Sequence, residues 1–365
     1  MKQLTRHFTG QGLMARVLRS ASWMMIGYGG SQALRLAANL ALARLLFPED
    51  EAALLEHVVD DGDAVEPVAY VPVLPMLLIN GSAGVATGFS TDIPKFKPEE
   101  VCAASVARLL GAPAAALVPW YRGFTGEVRA CDGGFVARGV LDVDGTTATV
   151  SELPPGLWWR DFEEGLQKLQ GGIVVLGSIR NQSEHSKVHF TFELAPDAPT
   201  GEALLAKLKL TKRISTANMH AINPKGQIER YESADAILSA HAEARLRLSD
   251  KKLASLRAAV NEQIRTRRVK SQFMQAVMDN RVSVWRVGLE DVRAQLQDLL
   301  PECASSTELL LRLPLADFSR ERIERLKVEM QALAKRRDAL EAVDGKELWL
   351  CDLHRVASEL GFGSL

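Results

Sequence analysis

The C-terminal third of the chain has the hydrophobic spacing of long amphipathic helices. One stripe recurs at alternating steps of three and four residues and consists of Ile323, Leu326, Met330, Leu333, Arg337 and Leu340. A similar stripe on an earlier stretch consists of Ile237, Ala244, Leu248, Leu253, Leu256, Val260 and Ile264. Such steps keep a stripe on one helix face, so two long helices are predicted to pair as an antiparallel coiled coil. The intervening residues, Asn280 to Pro314, are then a small globular tip.

The middle of the chain has the alternation typical of β-strands. Short alternating segments lie between Thr125 and Leu153, interrupted by Asp132-Gly133-Gly134 and Asp144-Gly145. Aspartate and glycine pairs at such spacing are typical of hairpin turns. Alternation returns at 173–176 and 188–194. The predicted fold class is therefore α+β with an antiparallel sheet, followed by a long antiparallel coiled coil.

The segment from Glu51 to Ser90 combines a charged part, an apolar part and a glycine-rich part. We predict a helix over Glu51–Val59, a turn at Asp60–Asp63 and an extended apolar run over Val71–Ile79. The sequence NGSAGVATGFS at Asn80–Ser90 is predicted as a glycine-rich loop. It lacks the GK[ST] ending of a phosphate-binding P-loop.

Within that loop, Val85 is an apolar side chain flanked by small residues. A loop of this kind can present an apolar wedge of the sort that enters base steps and kinks a DNA duplex. The alternative is an ordinary buried valine.

The stretch from Leu13 to Phe47 is apolar, basic and rich in small residues. Its longest charge-free run, Ser20–Leu34, is shorter than the roughly 20 residues that a bilayer requires. No clear signal-peptide cleavage site follows it. We predict an amphipathic helix broken at Gly29-Gly30, with membrane association as the alternative. GYGGSQ followed by LRLA makes residues 1–47 resemble the N-terminus of a polysaccharide flippase.

Composition narrows the class of protein only slightly. The chain has 365 residues, 47% of them hydrophobic and 24% charged, with a net charge of −1. A length of this kind suggests two or three domains. A DNA-binding surface would have to come from local clustering of charge. The four cysteines form no CxxC pair, which argues against zinc and disulfides and favours a reducing, cytoplasmic location.

Several motifs in register resemble type IIA DNA topoisomerases of the eukaryotic and phage kind. The motifs are ARLLFPED, VEPVAYVPVLPMLLINGSAGVATGFSTDIP, FTGEV, KLTKRISTANMHAINPKGQIERY and KELWLCDL, in that order. The resemblance covers about residues 43–365. It implies a winged-helix remnant and DNA-bending loop at 43–92, a tower domain at 93–232, and a coiled coil with a C-gate dimerisation region at 233–365. Residues 1–42 are then a foreign or atypical segment.

The resemblance also assigns roles to individual residues. Val85 corresponds to the residue that intercalates and bends the gate DNA. Backbone amides of Gly84, Ala86 and Gly88, together with Thr87, are expected near phosphates. Further backbone contacts are expected from Lys95, Lys97, Lys212 and Arg213. A basic wall along the path of the transported duplex, or else a solvated helix face, is expected from Lys251, Lys252, Arg257, Arg265, Arg267, Arg268 and Lys270.

The chain departs from the family where cleavage would occur. The family has an Arg-Tyr pair shortly before the counterpart of Ala43–Phe47, whereas this chain has LRLAANLAL there. We interpret Arg230-Tyr231 as a structural strand. No catalytic residue, metal site or ATPase motif is predicted in this chain, so Mg²⁺ and ATP are implied only for the complete enzyme. We expect an artificial or fused junction near ARLLFP.

The sequence therefore predicts a part of a type IIA topoisomerase that binds and bends double-stranded DNA and is inactive alone. Its expected partners are duplex DNA, a second copy through the C-gate, and a separate ATPase and metal-binding subunit. The alternative is a noncatalytic coiled-coil protein that dimerises or binds DNA.

Overall fold

The structure is a computed structural model that describes residues 32, 35–172, 174–175, 177–184, 187–223, 225–285, 287–299, 307–314 and 317–363. The chain forms two compact units. The first consists of residues up to Arg245 together with those from Asp352 onward. The second is Leu246–Cys351. Predictions made for residues 1–31 lie outside the described residues.

Helices dominate the C-terminal part of the described chain. The α-helices are α1 (35–46), α2 (Met76–Asn80), α3 (Pro98–Leu110), α4 (Trp159–Leu169), α5 (Glu202–Lys207), α6 (Ala234–Met278), α7 (Leu289–Leu299), α8 (Thr307–Leu311), α9 (Arg320–Ala342) and α10 (Gly345–Leu360). A 3₁₀ helix covers Glu49–Leu54. None of these described helices has both the length and the apolar character needed to cross a bilayer.

Small antiparallel sheets occupy the first unit. The strands are β1 (His57–Asp60), β2 (Asp63–Pro67), β3 (Ser82–Ala86), β4 (Phe89–Ile93), β5 (Glu127–Cys131), β6 (Gly134–Arg138), β7 (Val140–Asp144), β8 (Thr147–Glu152), β9 (Arg180–Asn181), β10 (Phe190–Glu193), β11 (Thr211–Ser215), β12 (His220–Ile222) and β13 (Ile228–Arg230). Strand orders are β7-β8-β10-β9 and β11-β6-β5, and the remaining pairs are β1-β2, β3-β4 and β12-β13. The predicted α+β class and hairpin turns at Asp132 and Asp144 are confirmed.

The four-stranded sheet buries one face against α4. Val150, Phe190 and Phe192 are fully or almost fully buried on that face. Phe162 and Leu166 lie four residues apart on α4, so both point to the sheet. The rings of Phe162 and Phe190 meet edge to face at 5.1 Å. This packing makes the sheet a rigid support for the loops at its ends.

The second unit contains the antiparallel helix pair that the hydrophobic stripes predict. Arg267 Nε lies 2.9 Å from Glu329 Oε2. Farther along α6, Met274 packs against Ile323 and Leu326. Contact positions on α9 therefore move backwards as those on α6 move forwards, which defines the antiparallel direction. A compact tip follows, where a cluster of buried side chains consists of Val269, Phe273, Ala276, Val282, Val292, Leu296 and Leu310.

Local predictions between Glu51 and Ser90 were wrong in three places. The predicted helix over Glu51–Val59 is a 3₁₀ turn that ends at Leu54, and the β-branched Val58 and Val59 belong to β1. The predicted extended run over Val71–Ile79 turns into α2 directly after Pro75, because proline favours the start of a helix. The predicted loop over Asn80–Ser90 is largely a hairpin of β3 and β4. The Asp60–Asp63 turn is present, with Asp61 and Gly62 at positive φ.

An ionic cluster lies in the interior of the first unit. The Arg245 side chain is fully buried and forms a two-pronged contact with Glu51, with Nη2 donating to Oε1 at 2.7 Å. The same Nη2 lies 3.1 Å from Asp352 Oδ2. Nη1 donates to the Val71 carbonyl at 3.1 Å. One guanidinium thus joins the 3₁₀ turn, the strand-like segment before α2, α6 and α10.

We expect the free energy of unfolding to fall as the pH drops from about 6.5 towards 4. Burial lowers the pKa of His241 to about 4, partly opposed by its bond to the Pro72 carbonyl, while the charge of Arg245 lowers it further. The folded chain binds this proton less tightly than the unfolded chain, whose histidine pKa is about 6.5. Neutral His241 therefore contributes its full stabilisation above about pH 6.5. This stabilisation is lost as the pH falls towards the histidine pKa of the folded chain.

The free energy of unfolding is expected to be lower by roughly 3 kcal/mol near pH 4, since a tenfold difference in proton affinity corresponds to about 1.4 kcal/mol. Urea unfolding at a series of pH values measures it. His241→Gln keeps an N–H donor for the Pro72 carbonyl but removes the titration, so its profile should be flatter in this window. Parallel profiles for both proteins would contradict the assignment to His241.

Candidate nucleic-acid interface

The hairpin of β3 and β4 projects an apolar side chain into solvent. Ala86 pairs with Phe89, so Thr87 and Gly88 form a two-residue turn. Gly88 has φ +94°, a backbone conformation that favours glycine. Val85 lies two residues before the turn and is 91% exposed, the highest value among the exposed large hydrophobic side chains of the described chain. The geometry therefore presents a valine at the tip of a short, regular ribbon.

The backbone around Val85 is open to close approach. A Cβ added to Gly84 or to Gly88 would meet no atom within 4 Å. Gly84 is not at positive φ, so nothing within the chain requires glycine there. Ala86 and Thr87 are also exposed. Glycine at a position without an internal need is expected where another molecule approaches the backbone.

The base of the hairpin depends on a second kind of glycine. Gly81 follows α2 with φ +65°. A Cβ at Gly81 would lie 2.7 Å from the Ile93 carbonyl oxygen and 2.8 Å from Lys95 Cγ. The start of β3 is therefore pressed against the end of β4, and only glycine allows this approach.

Gly81→Ala is expected to lower the free energy of unfolding by about 1–3 kcal/mol, because it adds backbone strain and a clash. Gly84→Ala is the matched control. It should leave stability unchanged or raise it slightly, because its Cβ enters open space and alanine restricts the unfolded chain. Urea unfolding of both variants measures the difference. Equal losses in both would contradict the role of Gly81.

Residues far away in sequence support the second strand of the hairpin. Asn218 Nδ2 donates to Ser90 Oγ at 2.8 Å, and the Asn218 carbonyl accepts from the Asp92 amide at 2.8 Å. Thr91 Oγ1 donates to the His220 carbonyl at 2.7 Å. His220 Nδ1 in turn lies 2.9 Å from Asn218 Oδ1. These contacts fix β4 against β12 and so orient the ribbon that carries Val85.

The end of the hairpin packs into a hydrophobic cluster. Ile93 and Phe96 are buried there with Leu78, Met219 and Tyr231. Burial raises the pKa of Tyr231, with Glu229 adding to the effect. A buried phenol with a raised pKa is poorly suited to be a nucleophile. The placement agrees with the structural interpretation of Arg230-Tyr231.

The predicted cationic contacts occupy different surroundings. Lys95 is exposed at the hairpin base, where its backbone carbonyl accepts from Trp120 N. Lys97 forms an ion pair with Glu99, and the hydrogen bond to Glu99 raises the lysine pKa. Lys212 and Arg213 lie on β11, in another sheet.

Within that sheet, the two β11 cations reach different loops. Arg213 donates to the Asp132 carbonyl. The Lys212 ammonium lies close to where a Cβ on Gly156 would be. Lys95 follows β4 by two residues and is exposed at the base of the Val85 hairpin.

Several side chains of the predicted basic wall along α6 are buried or bonded within the protein. Lys252 is buried. Arg257 donates to the carbonyls of Leu340 and Val343 at 2.9 Å each, which satisfies the end of α9. Arg267 is paired with Glu329. Lys252 and Arg257 therefore match neither a free basic wall nor the alternative of a solvated helix face.

The sequence motifs did not reveal Ser90, Thr91, Asn218 and His220 as supports of the hairpin. Asn218 and His220 do lie within the TANMH part of a motif that carried the resemblance. Their role depends on a contact 128 residues away in sequence, which no local pattern indicates.

A sequence model of the A-type subunits of DNA gyrase/topoisomerase IV matches residues 36–354. The chain belongs to this family. The match starts within α1 and ends within α10, so it includes the hairpin, the sheets and the helix pair. The resemblance to the breakage-reunion region of type IIA topoisomerases is thereby confirmed.

Relatives of this family member include eukaryotic enzymes. The chain is 31% identical over 307 residues to DNA topoisomerase 2 of Arabidopsis thaliana, which covers 80% of this chain and 21% of that protein. It is 27% identical over 337 residues to the mitochondrial DNA topoisomerase 2 of Dictyostelium discoideum, covering 87% of this chain and 26% of that protein. The chain thus spans about a fifth to a quarter of these relatives.

The fold is similar to a solved topoisomerase structure. The DNA-binding, cleavage and re-ligation domain of Plasmodium falciparum topoisomerase II matches with a TM-score of 0.65 and 22% identity. The similarity covers 87% of this chain and 48% of that one. An overlap of that extent includes parts of both units of the chain.

Proposed function

We propose that this family member is the DNA-binding and dimer-gate part of a type IIA topoisomerase. Its β3–β4 hairpin binds the gate duplex, with Val85 as the wedge that bends it. The exposure of Val85 at the tip of a supported ribbon is the observation that carries this proposal. Gly84, Ala86, Thr87 and Gly88 then lie against phosphates, where open backbone permits close contact.

The energetics of bending suit an exposed apolar side chain. Bending a duplex by 40–90° costs about 1–6 kcal/mol. Insertion of a wedge between base steps allows a bent duplex to contact more protein surface. Burying a valine contributes about 1.5–3 kcal/mol relative to leaving it in water. Burial of Val85 can therefore offset part of the free energy of bending, and phosphate contacts can offset the remainder.

The remaining parts of the chain take roles that the family suggests. Residues 43–92 are the winged-helix remnant with the bending hairpin, and residues 93–232 are the tower. Residues 233–365 form the coiled coil and the C-gate, through which two copies associate. The antiparallel helix pair and its compact tip support that last assignment.

Cleavage and ATP hydrolysis belong, in this proposal, to polypeptide regions that the relatives have beyond the matched part. No tyrosine occurs at 35–42, the part of α1 that precedes the ARLLFP motif. Across the described residues, no group of three or more His, Cys, Asp or Glu side chains could hold a metal ion. A separate ATPase and metal-binding subunit would complete a cytoplasmic, DNA-associated enzyme.

Duplex binding at several salt concentrations tests the proposal. Fluorescence anisotropy with a labelled duplex should show affinity that falls steeply as salt rises, because released counterions drive phosphate contacts. Lys95→Ala should reduce the slope of log affinity against log salt by about 0.9, one phosphate contact. Lys97→Ala should reduce it less, because Glu99 already neutralises that lysine. Absence of duplex binding at low salt would refute the proposal.

The helix pair favours a second candidate, a noncatalytic protein that associates through its coiled coil. Sedimentation would show a dimer under both hypotheses. A dimer without any affinity for duplex DNA would favour the second candidate.

A further inference from the structure

A wide groove lies in the first unit between the loop after Trp120, the end of β8 and the strand β9. Its volume is about 920 Å³, near the upper end of the roughly 300–1,000 Å³ typical of ligand sites. The lining is rich in rings and prolines and includes Tyr121, Phe124, Pro154, Pro155, Trp158 and Trp159. Such a lining is unusual for solvated protein surface, where large aromatic side chains are mostly buried.

Two adjacent tryptophans of this groove are exposed to solvent. Trp158 is 73% exposed and Trp159 is 41% exposed. Both lie at the start of α4, whose buried face holds them against the four-stranded sheet through Phe162. The Arg160 guanidinium carbon lies 5.2 Å from the centre of the Trp159 ring. The Arg160 guanidinium thus lies over one face of the Trp159 ring, whereas the Trp158 ring is largely exposed at the start of the helix.

Cations surround these rings. Arg122 and Lys187 line the groove, and the Lys212 ammonium lies against the Gly156 turn on the same wall. Among the residues that the structure describes, Arg122, Lys187, Lys212 and Arg160 have no ion-pair partner. This contrasts with Lys97, Arg108 and Arg138 of the same unit, each of which is paired with a carboxylate.

Among the described residues, the carboxylates of the groove form no direct ion pair with these cations. Two carboxylates, Glu152 and Glu184, are among the lining residues. Glu152 Oε2 accepts from Thr125 N at 3.2 Å and from Thr125 Oγ1 at 3.0 Å. The groove therefore has unpaired positive charge beside exposed aromatic faces.

We propose that this aromatic groove binds an unpaired, single-stranded segment of nucleic acid. Bases stack on Trp158 and Trp159, and the phosphates between them contact Arg122, Lys187 and Lys212. Aromatic platforms combined with a cationic track are the common solution for binding single strands without sequence preference. The residues that line the groove are not those of the β3–β4 hairpin, although the loop that carries Tyr121 adjoins the hairpin base, where Trp120 N donates to the Lys95 carbonyl. The proposal does not depend on the function proposed for Val85. It also gives Lys212 a role other than contact with the gate duplex.

Duplex DNA is a poor occupant of the same groove. Its bases are already stacked on one another, so their faces are not available to an indole ring. A proline-rich peptide could pack on tryptophan and tyrosine, but it would leave three cations without counter-charge. A single strand offers unstacked bases to the aromatic rings and phosphates to the cations.

The test uses the full chain and a fluorescein-labelled oligothymidylate of about 15 nucleotides, within the site sizes known for single-strand binding folds. Anisotropy should show binding that weakens with salt. Trp158→Ala should weaken it by about five- to 150-fold, the range measured for loss of one stacked base. Trp158→Phe should restore much of the affinity. Lys187→Ala should lower the salt slope by about 0.7.

Two controls separate this site from general nucleic-acid affinity. Trp285→Ala removes a tryptophan that is 62% exposed in the other unit, and it should leave oligothymidylate binding unchanged. Val85→Ala should also leave it unchanged. The proposal is overturned if Trp158→Ala binds the oligonucleotide like the original chain, or if Trp285→Ala weakens binding equally. Binding of a polyproline peptide without binding of the oligonucleotide would also overturn it.

Discussion

Arg245→Ala is expected to lower the free energy of unfolding by about 3–5 kcal/mol, the range found when one partner of a buried ion pair is removed. The Arg245 side chain has no exposed surface, and Glu51 and Asp352 are about 4% and 11% exposed. Removing the guanidinium leaves two buried carboxylates without this counter-charge. It also removes a donor from the Val71 carbonyl. Urea unfolding followed by circular dichroism measures the loss.

Arg355→Ala provides the matched control for this substitution. Arg355 Nη2 lies 2.9 Å from the same Asp352 carboxylate, but its side chain is 52% exposed. Exposed ion pairs contribute about 0–1 kcal/mol. A loss for Arg245→Ala no larger than for Arg355→Ala would show that the buried cluster does not hold these four segments together.

Val85→Ala is expected to abolish most of the bend that the chain imposes on duplex DNA. The substitution removes two methyl groups from the exposed tip of the hairpin, so the wedge becomes too short to separate a base step. Affinity should fall by roughly tenfold, since each buried carbon contributes about 0.8 kcal/mol. Energy transfer between dyes at the two ends of a short duplex measures the bend.

Val328→Ala is the control for Val85. Val328 is 59% exposed on α9, outside the hairpin, so its loss should change neither the bend nor the affinity. Both variants remove the same atoms from an exposed valine. An undiminished bend with Val85→Ala would reject this residue as the wedge.

Periodic features of the sequence predicted much of the architecture. The stripes through Ile323 and Leu253 predicted the antiparallel helix pair, because steps of three and four residues define one helix face. Asp132-Gly133 and Asp144-Gly145 predicted hairpins because aspartate and glycine suit the positive φ of tight turns. In each case the pattern is local, so tertiary context did not have to be known.

The hairpin that carries Val85 was harder to predict. Ser82–Ala86 contains glycine and alanine, which have low β-propensity, so the pattern indicated a loop. The strand is stabilised instead by β4, which Asn218 and Thr91 attach to the segment before β12. The pattern around Val85 allowed either a wedge or an ordinary buried valine, and the resemblance favoured the wedge.

Ionic contacts between distant segments were not predictable from the sequence. Glu51 and Arg245 are 194 residues apart, and Asp352 is a further 107 away. Nothing near any of the three residues indicates the others. The same reason explains Arg257, which the sequence assigned to a basic surface although it binds the last carbonyls of α9.

Base unstacking at the hairpin contact is the most direct test of the proposed DNA-bending function. The measurement is fluorescence of duplexes that contain 2-aminopurine at successive positions, titrated with the full chain at low salt. Entry of Val85 between base pairs predicts a rise in fluorescence that Val85→Ala does not produce. Saturated duplex binding with unchanged fluorescence at every position would contradict it.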